Sequence, residues 1–233
     1  MRPYFFSKPV QLPEPRVCQD SVKRQGAEQL CRRVMELLHA AALIDGTEPG
    51  LLTQEDRESA RRRGAASAKR AMTNGFLMGK PHIAYYRTIA EDGFRCSDAV
   101  HNLADRVWIL DDRCGLADCY LRAAADAALQ KGAEVVLCPS PLRRDRIEAV
   151  FLPGVRAAYI SERAAENLCC DSARRVHLDR IPDAERRLSL RTAIREDRRI
   201  MNLLVSRAAL YLANAQILCN LDPITCADGT ERI

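Results

Sequence analysis

The sequence predicts an α/β fold, a parallel-type sheet flanked by helices, with an N-terminal helical arm. Three observations carry that expectation. The stretch Arg106 to Leu121, RVWILDDRCGLADCYL, opens on the short apolar run Val107-Trp108-Ile109-Leu110 and closes into a helix whose Leu121, Ala124, Ala125, Ala128 and Leu129 share one face. A second short apolar run, Glu134 to Cys138, follows that helix, and a strand–helix–strand crossover makes the two strands parallel. Aromatic residues are only 5% of the 233 residues while alanine is plentiful, which suits helices packed closely on a small sheet.

Taken in order, residues 1–16 hold four prolines and several aromatics, the pattern of an extended arm that is ordered only where it docks. A helix is expected from Asp20 to Ala42, with Leu30, Val34, Leu37, Leu38 and Ala41 as its stripe, ended by Asp45-Gly46 and Pro49-Gly50. Thr53 then reads as an N-cap with Asp56 three residues on, opening a strongly basic helix to Met72 that carries Arg57, Arg61, Arg62, Arg63, Lys69 and Arg70. Asn74-Gly75 and Gly79-Lys80-Pro81 mark a boundary between an arm and helical region over 1–75 and a domain over 76–233.

In that domain His82 to Arg87 alternates like a strand, Asp92-Gly93 supplies a turn, and Phe94 to Cys96 returns as the hairpin partner. Ser97 caps a short helix, Asp98 to Ala104, that leads to the strand at Val107. Gly132 is a natural C-cap for the central helix. Two further strands, Ala149–Leu152 and Ala157–Ile160, are joined through Pro153-Gly154, and a short one is expected at Val176–Leu178. A long helix then runs from Asp183 towards Leu218 on a stripe of Leu190, Ile194, Met201, Leu204, Ala208, Tyr211, Ala215 and Leu218, interrupted at Asp197 and ended by Asp222-Pro223.

Strand, tight turn and helix is the setting of a phosphate-binding loop, G-x-x-x-x-G-K-[ST], whose glycines curl backbone N–H groups round phosphates while lysine and hydroxyl meet phosphate and Mg²⁺. With Leu110 as the strand end, Asp112 takes the first glycine position, Ala117 the second, Asp118 the lysine and Cys119 the hydroxyl. The candidate nucleotide-binding residues are therefore Asp112, Arg113, Cys114, Gly115, Leu116, Ala117, Asp118 and Cys119, in a degenerate version of the loop. A carboxylate about 5 Å from a phosphate charge, at an effective dielectric near 20, is repelled by roughly 3 kcal/mol. Asp118, in the first helical turn, is the expected capping carboxylate. ATP is the candidate ligand, with no catalytic residue and no metal ligand assigned.

Arg143, Arg144 and Arg146 follow a strand end and either face a phosphate or face solvent. The formal net charge of +5 is modest for a nucleic-acid binder, and the basic helix has no aromatic residue interleaved to stack on bases, so a solvated face is the simpler expectation. The ten cysteines contain no C-x₂-C pair and the four histidines are scattered, which leaves Cys114 and Cys119 as the one pair worth testing for redox or zinc chemistry. No apolar run approaches the ~20 residues of a membrane span, and the N-terminus lacks a secretory apolar core, so a cytoplasmic protein without membrane contact is expected.

From about His82 to Asp183 the chain resembles a bacterial family of two-lobed P-loop ATPase-like proteins. The segments that carry the likeness are the hairpin with Gly93, RVWIL, EVVLCPSPL, EAVFLPGVRAAYI and VHLDRI. The resemblance implies a P-loop NTPase-like fold and ATP as ligand. Family members carry a glycine- and lysine-bearing loop where Asp112 to Cys119 stands, and an acidic residue and a histidine after the fourth strand, where this chain has Ser161-Glu162-Arg163 and later Glu166. One lobe is evident, not two. The expectation is a non-hydrolysing pseudoenzyme lobe with a regulatory role or a protein partner, such as an active paralogue. The alternatives are a weak ATPase using Glu162 or Glu166 beside a metal with Arg143 or Arg144 for the lysine, and a basic nucleic-acid-binding module.

Overall fold

The computed structural model describes residues 21–46, 50–72, 79–98, 102–165, 168 and 173–219. The proline-rich arm over 1–16, the Asn74-Gly75 break, residues 99–101 of the expected short helix, Glu166 and Asp222-Pro223 lie outside the described residues. Among the described residues the long α-helices are α1 (Ser21–Gly46), α2 (Gln54–Ala71), α3 (Ala117–Gln130) and α4 (Ala184–Cys219). The strands are β1 (Pro81–Ile83), β2 (Arg87–Ala90), β3 (Gly93–Cys96), β4 (Arg106–Asp111), β5 (Val135–Pro139), β6 (Ile147–Leu152), β7 (Ala157–Ser161) and β8 (Arg174–His177).

Six of them form a mixed, mostly parallel sheet in the order β1-β5-β6-β7-β4-β8, flanked by helices, and β2 pairs only with β3. β1–β5, β7–β4 and β4–β8 are parallel, while β6 is antiparallel to both neighbours. The crossover through α3 makes β5 run with β4, but β6 and β7 fill the space between them. A short loop before β6 and a 3₁₀ turn at Pro153–Val155 after it reverse the chain twice, as connections too short for a crossover must.

The single strand expected over His82–Arg87 is instead two. Pro81–Ile83 joins the sheet edge, and Arg87–Ala90 pairs with Gly93–Cys96. Between them Tyr86 turns inward onto Phe151, ring centroids 5.8 Å apart, and takes the chain off the sheet.

Alternate residues of the strands fill two layers. Leu110, Val135, Val150, Leu152 and Tyr159 pack with α2 and α3, whereas Val107, Ile109, Val136, Phe151 and Ile160 pack beneath Ala84, Tyr86, Ala104 and Ala164. α2 is capped as expected: the Asp56 amide donates to Thr53 Oγ1 at 3.2 Å and the Thr53 amide to Asp56 Oδ2 at 3.0 Å. Its buried face is small, and a Cβ added at Gly64 would lie 2.2 Å from the Tyr120 carbonyl oxygen, so α2 and α3 touch backbone to backbone. Residues on both sides of the boundary expected at 75 thus share one core.

α1 packs along α4, Val34, Leu38 and Ala41 meeting Met201, Val205, Ala208 and Leu212, with Ile89 of β2 closing that cluster. Val205 and Leu212, rather than the expected Leu204 and Tyr211, take the deep positions. The buried face drifts because α4 changes partner, from the sheet layer at Leu190 to α1 beyond Met201. Among the described residues no helix is long and apolar enough to cross a membrane.

Candidate functional site

β4, β7 and β8 are parallel, and their register brings Leu110 level with Ser161 and Asp111 level with His177. Their carboxyl ends therefore open on one edge, where the chain leaves β4 through Asp112 to Leu116 and enters α3. Loops at such an edge are where ligands of open α/β sheets bind.

The amides of this loop converge on an anion that the chain itself supplies. Asp112 Oδ1 accepts from the N–H groups of Gly115 and Leu116, both at 2.8 Å, and of Cys114 at 3.3 Å, while Oδ2 accepts from Ala117 at 2.7 Å. Gly115 has φ +86°, a conformation glycine adopts without cost and which curls the loop round the carboxylate. Successive N–H groups at a helix start form the concavity that elsewhere holds a phosphate. Here it holds a carboxylate, 6% exposed with its residue.

The expected capping role of Asp118 thus belongs to Asp112. Asp118 Oδ1 accepts from the Ile147 amide at 2.7 Å and Oδ2 from Arg122 Nε at 2.8 Å, which ties the start of β6 to α3. Loop curl decides between the two: Asp112 lies inside the turn, whereas Asp118 has already rotated onto the flank of the helix.

Arg113 is half exposed, its Nε 3.5 Å from Asp111 and its Nη2 3.8 Å from Glu162. Leu116 and Ala117 are buried core residues. Cys114 is fully buried, and burial together with the Asp112 carboxylate pushes its thiol up to about 11, away from thiolate chemistry. Cys119 is half-buried, and both are free thiols. Neither belongs to a cluster with metal-ligand spacing among the described residues.

α4 closes the edge with three arginines that sequence reasoning left to solvent. Arg186 pairs with Asp56 of α2, Arg191 with Asp179, and Arg198 Nη2 donates to the Asp112 carbonyl at 2.7 Å. A cavity of about 100 Å³ lies between this helix, the loop and the start of β6. Six carboxylates line it (Asp45, Asp112, Asp118, Glu148, Glu162 and Asp197) against Arg146, Arg163 and Arg198. Most of these carboxylates are already matched, Asp45 by Arg163, Glu148 by Arg87, Asp118 by Arg122 and Glu162 by Arg113 and Arg198. Of the loop arginines only Arg146 reaches the cavity, while Arg143 pairs with Asp145.

Sequence reasoning missed one further group. Asp111, His177 and Asp179 present ligand atoms within 4.8 Å of one another. His177 Nδ1 lies 2.9 Å from Asp111 Oδ2, and Arg191 holds one oxygen of Asp179. Carboxylate and imidazole donors suit a divalent ion; Arg113 and Arg191 supply counter-charge, while Asp111 Oδ1 and Asp179 Oδ1 are buried without a hydrogen-bond partner among the described residues. The H-x-D spacing after a short strand was visible; its link to Asp111 came only with the β4–β8 register.

No family model matches the chain, and comparisons with curated proteins and with solved structures gave no match.

Proposed function

We propose that this chain is a degenerate P-loop NTPase-like domain that does not hydrolyse nucleotide and acts as a regulatory or partner-binding lobe. The observation that carries the reading is the Asp112 carboxylate accepting four N–H groups of the strand-to-helix loop. A tethered ligand competes at an effective concentration of about millimolar or more. The positions that lysine and hydroxyl hold in a working loop carry Asp118 and Cys119, and Asp118 is committed to Ile147 and Arg122.

Calorimetric titration with ATP, ADP and GTP, with and without Mg²⁺, tests the reading. The native chain is expected to give no saturable heat. Asp112→Ala leaves four amides without their acceptor and is expected to cost about 2–4 kcal/mol of stability. Inorganic phosphate should raise the melting temperature of that variant and not of the native chain, because only a vacated cradle gains by mass action. Micromolar Mg·ATP binding to the native chain, or ATP turnover lost on Asp118→Ala or Arg113→Ala, would overturn the proposal.

A further inference from the structure

We infer that the groove between α2 and β8 binds single-stranded nucleic acid, its phosphates on four arginines and a base against Trp108. Arg62, Arg63 and Arg70 line it from α2, Arg174 and Arg175 from β8, and Trp108 from β4. Among the described residues no carboxylate lines it. All five arginines are exposed, and none makes an ion pair among the described residues. Arg87, Arg156 and Arg186, by contrast, are matched by Glu148, Asp105 and Asp56. Arg175, level with Ile109, alternates to the other face of the sheet, which leaves the guanidinium groups of Arg62, Arg63, Arg70 and Arg174 to repel one another across the concavity until an anion enters.

The aromatic residue absent from the basic helix in sequence is supplied by the sheet. Arg174 is the register partner of Trp108, so the two share a face of neighbouring parallel strands. The half-buried indole stacks on Tyr159 at 4.9 Å and 18°, and Ser67 of α2 donates to the Tyr159 hydroxyl at 3.3 Å. The ring is thereby held in place with part of its surface open to the groove. Close packing at Gly64 brings α2, with its arginines, over this part of the sheet.

Guanidinium forks match phosphate geometry, and a single phosphate engages one or two of them, whereas four drawn from two elements fit a chain of phosphates. The recessed indole separates a nucleic acid from an acidic peptide, since every base offers a π-face. A flat anionic membrane does not reach into a concavity. The site stands apart from the strand-to-helix loop, and the inference does not depend on the reading of that loop.

Trp108 is the only tryptophan of the chain, so its emission reports contact directly. The test titrates the full chain with an oligothymidylate or oligouridylate of about twelve nucleotides between about 50 and 200 mM salt. Saturable quenching is expected, with log K falling against log salt at a slope of about −2 to −3 for three to four phosphates. Arg174→Ala with Arg175→Ala should weaken binding about tenfold or more, a loss of at least one to two phosphate contacts. Arg32→Ala with Arg33→Ala on α1 should leave it unchanged. Absent quenching, equal or tighter binding to a duplex of that length, or quenching by an acidic peptide or anionic vesicles but not by the oligonucleotide would each overturn the proposal. So would an affinity that the Arg174 and Arg175 substitutions leave intact.

Discussion

Asp112 and Cys114 sit two residues apart and illustrate how a turn assigns chemistry. The carboxylate takes the amides, and the thiol is turned into the core beneath it. Because burial and the neighbouring carboxylate raise the Cys114 thiol to about 11, it should resist alkylation in the folded chain at pH 8 and react once denaturant is added. Labelling with iodoacetamide followed by peptide mapping reads this. Rapid native labelling at Cys114 would contradict the burial described. The sequence exposed the acidic character of this turn but not which carboxylate does what, because the choice follows from the backbone at Gly115. Only the curled loop makes Asp112 the acceptor and leaves Asp118 to Ile147.

Single elements were the most legible scale. The Thr53–Asp56 capping box announces α2 before any coordinate does, and its geometry carries a pH dependence. Burial pulls the Asp56 carboxyl upward, but hydrogen bonds from the Thr53 amide and hydroxyl and the charge of Arg186 outweigh it and hold the group below its ordinary value. A depressed carboxylate stabilises the fold fully above its unfolded value, near pH 4, and that contribution is lost as pH falls through the lower folded value. Denaturation midpoints measured from pH 6 down to pH 3 should therefore fall, and Asp56→Asn should make the fall shallower while lowering stability at pH 6. An unaltered acid limb in that variant would remove Asp56 from the account. Where elements were misread, a tertiary contact is responsible. Tyr86 abandons the sheet for Phe151, and the deep face of α4 shifts to Val205 and Leu212 because a second helix lies beneath it.

At the scale of the whole molecule, the β2–β3 hairpin is tied to the sheet by a buried pair. Arg87 Nη2 donates to Glu148 Oε1 at 2.6 Å, its guanidinium lies 4.0 Å from the Phe94 ring centroid, and both charged residues are nearly inaccessible. Removing one partner strands the other charge, so Glu148→Ala is expected to cost about 3–5 kcal/mol. Arg87→Met in the same chain should recover part of that loss, and chemical denaturation of the native chain and the two variants measures it. A single-variant loss under about 1 kcal/mol would mean that the pair is solvated. Nothing local in the sequence joined Arg87 to Glu148, reversed β6, or set Arg174 beside Trp108. These depend on strand order and register, which single-strand patterning does not encode.

One consequence follows from the loop that feeds α3. On the function proposed above, with its anion attached by a covalent chain, the turn would have the same shape in a starved solution as in one rich in triphosphates. News of such molecules would have to reach this protein through some other surface.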